Sequence, residues 1–177
     1  MSITHIKDYR RNLASGMTEK LIQIRKNNLR KRFQDFAGIP HRMEVVKEID
    51  EISYINDSKA VSVNATYFAL QSIDESVVWI AGGDDRETDY WELMSLARQK
   101  VGAIIMIGKH NDKLYHTFSS VIKKIYVAEN MKEAVQIARG LSNSKTTVLL
   151  SPAAKTDEKY LDYQDRGTQF IAAVKTL

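Results

Sequence analysis

The sequence contains no cysteine, which excludes disulfides and thiolate metal sites. It has no apolar run of about 18 residues or more, so it offers no membrane-spanning helix. Residues 1–11 are polar and charged and lack the apolar core of a signal peptide. No Gly-x-x-x-x-Gly-Lys-Ser/Thr loop is present, which removes the phosphate cradle of an independent ATPase. No Gly-x-Gly-x-x-Gly follows a predicted strand, so a dinucleotide fingerprint is absent. His5, His41, His110 and His116 show no metal-ligand spacing, and no Gly-x-Ser-x-Gly elbow exists for a serine nucleophile. Taken alone, the chain lacks a complete catalytic apparatus.

What is present suits a soluble globular domain. The 177 residues are 44% hydrophobic and 27% charged, enough for one domain with a real core. The expectation is a single cytoplasmic domain over 1–177, with a helical lead-in over 1–37 and an α/β core over 38–177. Net charge is +4, and the excess sits early, in Arg10-Arg11, Arg25-Lys26 and Arg30-Lys31-Arg32. Such clusters can bind RNA or an acidic partner. No aromatic residues interleave with them, which leaves a base-stacking platform unsupported. The solvated face of an amphipathic helix is the preferred reading.

Periodicity organises the chain. Leu13, Met17, Leu21 and Ile24 fall on one face of a helix from about Lys7 to Ile24. Leu29, Phe33 and Phe36 form the inner face of a second helix, ended by Gly38-Ile39-Pro40. Met43 to Ile49 and Ile52 to Ile55 read as two strands, a hairpin across Asp50-Glu51. A helix follows Lys59, with Val63, Tyr67 and Leu70 on one face and Asp57 or Ser58 as its cap. The apolar run Val77–Ala81 is expected of a strand buried on both faces of a parallel sheet. Asp89 with Glu92 predicts a capping box for a helix bearing Leu93, Met94 and Ala97. Gly102–Ile107, Ile125–Ala128 and Thr146–Leu150 are further strands; Asp112–Ser120, a segment capped by Asn130 with Glu133, and Lys159–Lys175 are further helices. The alternation predicts an α/β fold: a Rossmann-like, doubly wound, mostly parallel sheet with an antiparallel N-terminal hairpin. Ligands bind such sheets at the carboxyl ends of the strands. There the Asn56–Lys59, Gly82–Arg86 and Ser151–Thr156 stretches converge. Polar loops after strands are the norm, so convergence alone does not define a site.

The stretch Tyr54-Ile55-Asn56-Asp57-Ser58-Lys59-Ala60 runs from a strand toward a helix N-terminus, a place that favours anions, and Lys59 adds a full charge. It resembles the Asn-Asp-Ser-Lys-Ala-Thr-Asn signature of the Mur ligases, in particular the D-glutamate-adding enzyme of peptidoglycan synthesis. Four more blocks of that pattern stand in order: Gly38-Ile39-Pro40-His41-Arg42-Met43-Glu44, Trp79-Ile80-Ala81-Gly82-Gly83-Asp84, Leu149-Leu150-Ser151-Pro152-Ala153, and Tyr163-Gln164-Asp165-Arg166-Gly167-Thr168-Gln169-Phe170. Together they match only the C-terminal domain of that ligase.

The resemblance implies a division of labour. A first domain holds the UDP-sugar, a central domain holds ATP and Mg²⁺, and this one delivers the incoming amino acid, with no cofactor expected on this chain alone. The implied partners are D-glutamate or another amino acid and the N-terminal and central ligase domains; no membrane or nucleic acid is implied. Asp57 and Lys59 match residues facing the γ-phosphate and acyl-phosphate region, and are the implied catalytic pair. His41 and Arg42 match the nucleotide-proximal positions. Arg86 stands for a lysine that pairs with a glutamate carboxylate, Thr156 for a serine that hydrogen-bonds the same amino acid, and Tyr163 for a phenylalanine whose backbone lines that pocket.

Several positions depart from the family. Val61-Ser62 replaces Thr-Asn, losing a hydroxyl. Lys155 replaces alanine, and Asp157-Glu158 stands where the family has Phe/Leu-Asp, which puts a cation and two carboxylates beside the site; the carboxylates are expected to repel glutamate unless they point away. Lys7-Asp8 and Arg11 replace His-Asn and a second asparagine on the adenosine side. Three readings stay open: a working amino-acid-binding domain, a diverged stand-alone binding or regulatory module, and a basic nucleic-acid binder.

Overall fold

The computed structural model describes residues 38–177. The two helices expected from Lys7 to Phe36, with their basic clusters and the departures at Lys7, Asp8 and Arg11, lie outside the described residues. Six strands form one sheet: β1 (Glu44–Ile49), β2 (Ile52–Asn56), β3 (Ser76–Ala81), β4 (Val101–Met106), β5 (Ile125–Val127) and β6 (Thr146–Leu150). Their spatial order is β1-β2-β6-β3-β4-β5. Only the β1–β2 pair is antiparallel; the remaining neighbours run parallel. The helices are α1 (Val63–Ser72), α2 (Met94–Lys100), α3 (Asp112–Phe118), α4 (Met131–Leu141) and α5 (Tyr163–Lys175). The architecture is the doubly wound sheet with an antiparallel hairpin that the alternation predicts.

The period-2 geometry of a strand sends successive side chains to opposite faces, and β3 uses both. Val78 and Ile80 join Ile105, Val148 and Leu150 on the face covered by α4 and α5, through Met131, Val135, Phe170 and Val174. Val77, Trp79 and Ala81 join Ile104 and Leu149 on the other face, covered by α1, α2 and α3 through Leu70, Ala97 and Phe118. Trp79 is fully buried, packs edge-on against Phe118 at 5.4 Å and donates its indole N–H to the Ser151 carbonyl at 2.7 Å. A large core residue on β3 thereby also fixes the loop after β6.

Local chemistry explains the element ends. The hairpin turns on Asp50 and Glu51, both left-handed at φ 51 and 60, the conformation a two-residue type I′ connection requires. Arg139 of α4 pairs with the Asp50 carboxylate. Asn130 caps α4 through the Glu133 amide, while the Glu133 carboxylate reaches back to the Glu129 amide. Lys100 of α2 donates to the carbonyls of Leu70, Gln71 and Ile73 at the end of α1.

Three expectations need correction. The helix after Lys59 starts at Val63 and is capped by Ser62, which accepts from the Ala65 amide at 3.3 Å. Asp57 and Ser58 instead form a turn, closed by Ala60 N–H donating to the Asp57 carbonyl at 2.9 Å. The Asp89–Glu92 capping box does not form. Asp89 accepts from Trp91, two residues on, and a 3-10 turn over Trp91–Leu93 leads into α2. The last helix begins at Tyr163 rather than Lys159. Asp162 is its cap through the Asp165 amide, and Asp157 holds the Lys159 amide at 3.1 Å, which keeps 157–162 in a loop.

Candidate functional site

The loops after β2, β3, β4 and β6 meet at the carboxyl edge of the sheet, and backbone hydrogen bonds stitch them together. Asp57 N–H donates to the Leu150 carbonyl, Gly82 N–H to Pro152, Ala153 N–H to Ala60, and Asp84 N–H to Lys155, at 2.8–3.0 Å. Asp85 N–H donates to His110, which brings in the loop after β4. Glycine is required where these loops approach. Gly83 has φ +147, and a Cβ there would lie 2.2 Å from the Lys155 carbonyl oxygen.

Around the Asn-Asp-Ser-Lys stretch the polar groups are mostly turned inward. Asn56 is buried and donates to Glu44 at 3.1 Å; its amide also lies 3.0 Å from His41 Nδ1. Asp57 is only 4% exposed. Its carboxylate accepts from the Met43 amide at 3.2 Å and from the Ser151 hydroxyl at 2.9 Å, and Ser151 continues to Thr66 at 2.9 Å. Desolvation pushes the Asp57 carboxyl up to about 7, against the opposing pull of those hydrogen bonds and of the nearby Arg42 charge. Ser58 donates to the Tyr163 carbonyl at 2.8 Å. Lys59 is exposed, and its ammonium stands 5.7 Å from the centroid of the Tyr163 ring. The ring of His41 meets that same ring edge-on at 6.3 Å.

One participant has no counterpart among the expected site residues. Arg166 is fully buried. Its Nε donates to the Ser58 hydroxyl at 3.1 Å and its Nη2 to the Ser58 carbonyl at 3.0 Å. Burial lowers it to about 10, while Tyr160 and Asp157 act in the opposite sense. Its only signal in the sequence is its place in the Tyr163–Phe170 block.

Beside this cluster lies an open cleft of about 700 Å³. Val61, Ser62 and Val63 line one side, with Asp84, Arg86, Glu87, Asp89 and Lys155 among the other lining residues. Arg86 lies in the cleft, but its guanidinium is already engaged. Nε donates to Asp84 Oδ1 at 2.8 Å and Nη2 to Oδ2 at 2.6 Å. That fork holds the Asp84 carboxyl well below the usual carboxylate range and raises Arg86. Asp157 and Glu158 are both engaged by Lys109, although the Glu158 charge still acts on Arg86. Asp157 accepts from the Lys109 amide at 2.6 Å, and Glu158 pairs with Lys109 Nζ at 3.4 Å. Asp85 is buried and receives the Leu114 amide at the start of α3.

The structure therefore brings His41, Lys59 and Tyr163 together, sets Asp57 beneath them, and places Arg86 in the adjoining cleft. Thr156 is half-buried and is not among the residues lining that cleft. Among the described residues no group of three or more His, Asp and Glu side chains is placed to hold a metal ion. None of their helices is long and apolar enough to cross a membrane.

The family model described as "Mur ligase, glutamate ligase domain" matches residues 41–154, the segment that carries β1 to β6 and these loops. The chain belongs to the Mur ligase family. It is 42% identical over 165 residues to the UDP-N-acetylmuramoylalanine--D-glutamate ligase of Christiangramia forsetii, covering 93% of this chain and 37% of that protein. The ligase of the same name from Bacteroides thetaiotaomicron is 41% identical over 166 residues, with the same two shares. The chain thus spans little more than a third of the curated relatives it matches. Among solved structures, the Mur ligase fold is shared with UDP-N-acetylmuramate-alanine ligase MurC from Thermotoga maritima. That match has a TM-score of 0.54 at 14% identity and covers 80% of this chain and 31% of the other. Folylpolyglutamate synthase from Mycobacterium tuberculosis, complexed with ADP and AMPPCP, gives 0.55 at 13%, covering 77% and 31%. As a Mur ligase C-terminal domain, the chain joins all five of its signature blocks through direct bonds: Met43 and Ser151 donate to Asp57, Trp79 donates to the Ser151 carbonyl, Ser58 donates to the Tyr163 carbonyl and Arg166 donates to Ser58.

Proposed function

We propose that this chain is the amino-acid-binding C-terminal part of a ligase that adds D-glutamate to UDP-N-acetylmuramoyl-L-alanine in cytoplasmic peptidoglycan synthesis, and that it is catalytically incomplete alone. The observation that carries the reading is the open cleft at the carboxyl edge of the sheet, with Arg86 and Lys155 among three carboxylates on its rim and the Asn56–Lys59 loop beside it. In this reading the cleft receives the amino acid beside Arg86, with Thr156 and Tyr163, which stand outside its lining, as further contacts. Lys59 lends positive charge toward the acyl-phosphate region. Asp57 holds the loop that presents Lys59, and His41 and Arg42 face the nucleotide side.

The ligation chemistry belongs to the assembled enzyme. There the D-glutamate nitrogen attacks the acyl carbon of an activated carboxylate, forming the amide as phosphate leaves. ATP and Mg²⁺ would be held mainly by the central domain. Among the described residues no group of three or more His, Asp and Glu side chains is placed to hold a metal ion, and the sequence has no P-loop. Closure of this domain onto the central one would complete the site.

Titration of the chain with D-glutamate, L-glutamate and neutral amino acids, followed by NMR, tests the reading. D-glutamate is expected to shift resonances of Arg86, Thr156 and Tyr163. Amide formation is expected only after the N-terminal and central domains are supplied. Silence toward D-glutamate together with an inert reassembled enzyme would sink it. One observation favours the alternative of a diverged, non-catalytic module: Asp84 already occupies the Arg86 guanidinium. Under that alternative the reassembled enzyme stays inert while the chain still binds a partner.

A further inference from the structure

The cleft holds more charge than it has free charge. Asp84 and Arg86 neutralise one another through two parallel hydrogen bonds. Asp89 is turned onto the Trp91 amide at 3.0 Å. Beyond the charge that Asp89 still carries, what remains on the rim is one cation, Lys155, and one anion, Glu87. Among the described residues neither has a carboxylate or cationic partner at salt-bridge distance.

The backbone fixes Lys155 at this position. Its carbonyl accepts from the Asp84 amide at 3.0 Å, and the approach is so close that only glycine fits at position 83. The carboxylates that follow it in sequence do not neutralise it. Asp157 is spent on the amides of Lys109 and Lys159, and Glu158 on the Lys109 ammonium. An exposed ammonium with no partner, held at the mouth of a cleft, is ready to meet an incoming carboxylate without first giving up an existing bond. Arg86 keeps its Nη1 donors, but its charge is already offset by the paired Asp84.

We infer that Lys155, rather than Arg86, is the cation that receives the side-chain carboxylate of an acidic amino acid in this cleft. The inference rests on the amino-acid-binding function proposed above and names the specificity-determining residue within it. The Asp84–Arg86 pair serves as a neutral, rigid wall, and discrimination between an acidic amino acid and its amide falls to Lys155.

The test compares D-glutamate with D-glutamine on the full 177-residue chain by calorimetry. The two ligands have nearly the same shape and differ in the charge Lys155 would read. The chain is expected to prefer D-glutamate about fivefold, the scale of an exposed ion pair. Lys155→Met should abolish the preference and Lys155→Arg should restore it. The paired Asp84→Asn, Arg86→Met variant removes two cancelling charges and should keep the preference. Loss of preference in that paired variant with retention in Lys155→Met would overturn the assignment and leave the proposed function standing. Binding of neither amino acid by the unaltered chain would overturn the assignment to Lys155, while the proposed function falls only if the reassembled enzyme is inert as well.

Discussion

The imidazole of His41 fills the space that a side chain at position 167 would need: a Cβ on Gly167 would fall 2.2 Å from His41 Nδ1. Helix α5 and the loop before β1 therefore touch through a missing side chain. Gly167→Ala sets two effects against each other. Alanine improves an interior helix position by up to about 1 kcal/mol, whereas forcing the ring away costs about 1–3 kcal/mol and disturbs the contact between His41 and Asn56. Net destabilisation is expected in chemical denaturation, with a shift of the His41 ring resonances. A more stable variant would show that the ring yields freely.

Asp57 couples stability to pH. Its folded carboxyl titrates near 7, above its value of 3.8 in the unfolded chain. Between those values the folded state binds more protons than the unfolded one, so stability falls as pH rises. The contribution is fully present below about pH 4 and is lost by about pH 7, a span worth about 4 kcal/mol. Asparagine mimics the protonated form, accepting from Met43 and donating to Ser151. Asp57→Asn should flatten the pH profile of unfolding between pH 4 and 7. A profile as steep as that of the unaltered chain would assign the dependence to another group.

Arg166 should be intolerant of lysine. The guanidinium reaches the hydroxyl and the carbonyl of Ser58 from two nitrogens of a planar group, and a single ammonium cannot reproduce that fork. Arg166→Lys is expected to lose about 2 kcal/mol in a denaturant midpoint experiment. It should also shift the amide resonances of Lys59 and Tyr163, because Ser58 lies between them. Unchanged stability would mean that the loop is held by its backbone bonds alone.

Glu87 lines the cleft and has no salt-bridge partner among the described residues. Glu87→Gln should tighten D-glutamate by about two- to threefold, the scale of removing a solvent-screened repulsion. Its effect on D-glutamine should be small. Weaker binding of both ligands would mean that Glu87 holds the ammonium instead.

Much of this fold is written locally in the sequence. The apolar run of β3 and the Asn130 cap announce themselves, and β6 begins and ends where its β-branched and leucine residues do. The strand order does not, because pairing β6 between β2 and β3 joins segments with no neighbouring signal. The start of α5 depends on which of two aspartates takes which amide, Asp157 the loop and Asp162 the helix. Sequence spacing cannot rank those choices. At the site, the Asn-Asp-Ser-Lys block contains Lys59 and the resemblance extends to Arg86, but neither the grip of Asp84 on Arg86 nor the burial of Arg166 has a signal in the sequence. Asp157 and Glu158 read as repulsive in sequence, and in place both are engaged by Lys109, through its amide and its ammonium.

The insertion of β6 between β2 and β3 has a kinetic consequence. The last strand to leave the ribosome is an inner strand of the sheet. Until it arrives, β2 and β3 each present an unpaired edge, the surface most prone to intermolecular pairing. A nascent chain that stalls before Thr146 holds two half-sheets that cannot join, so protection by a chaperone matters most in that interval.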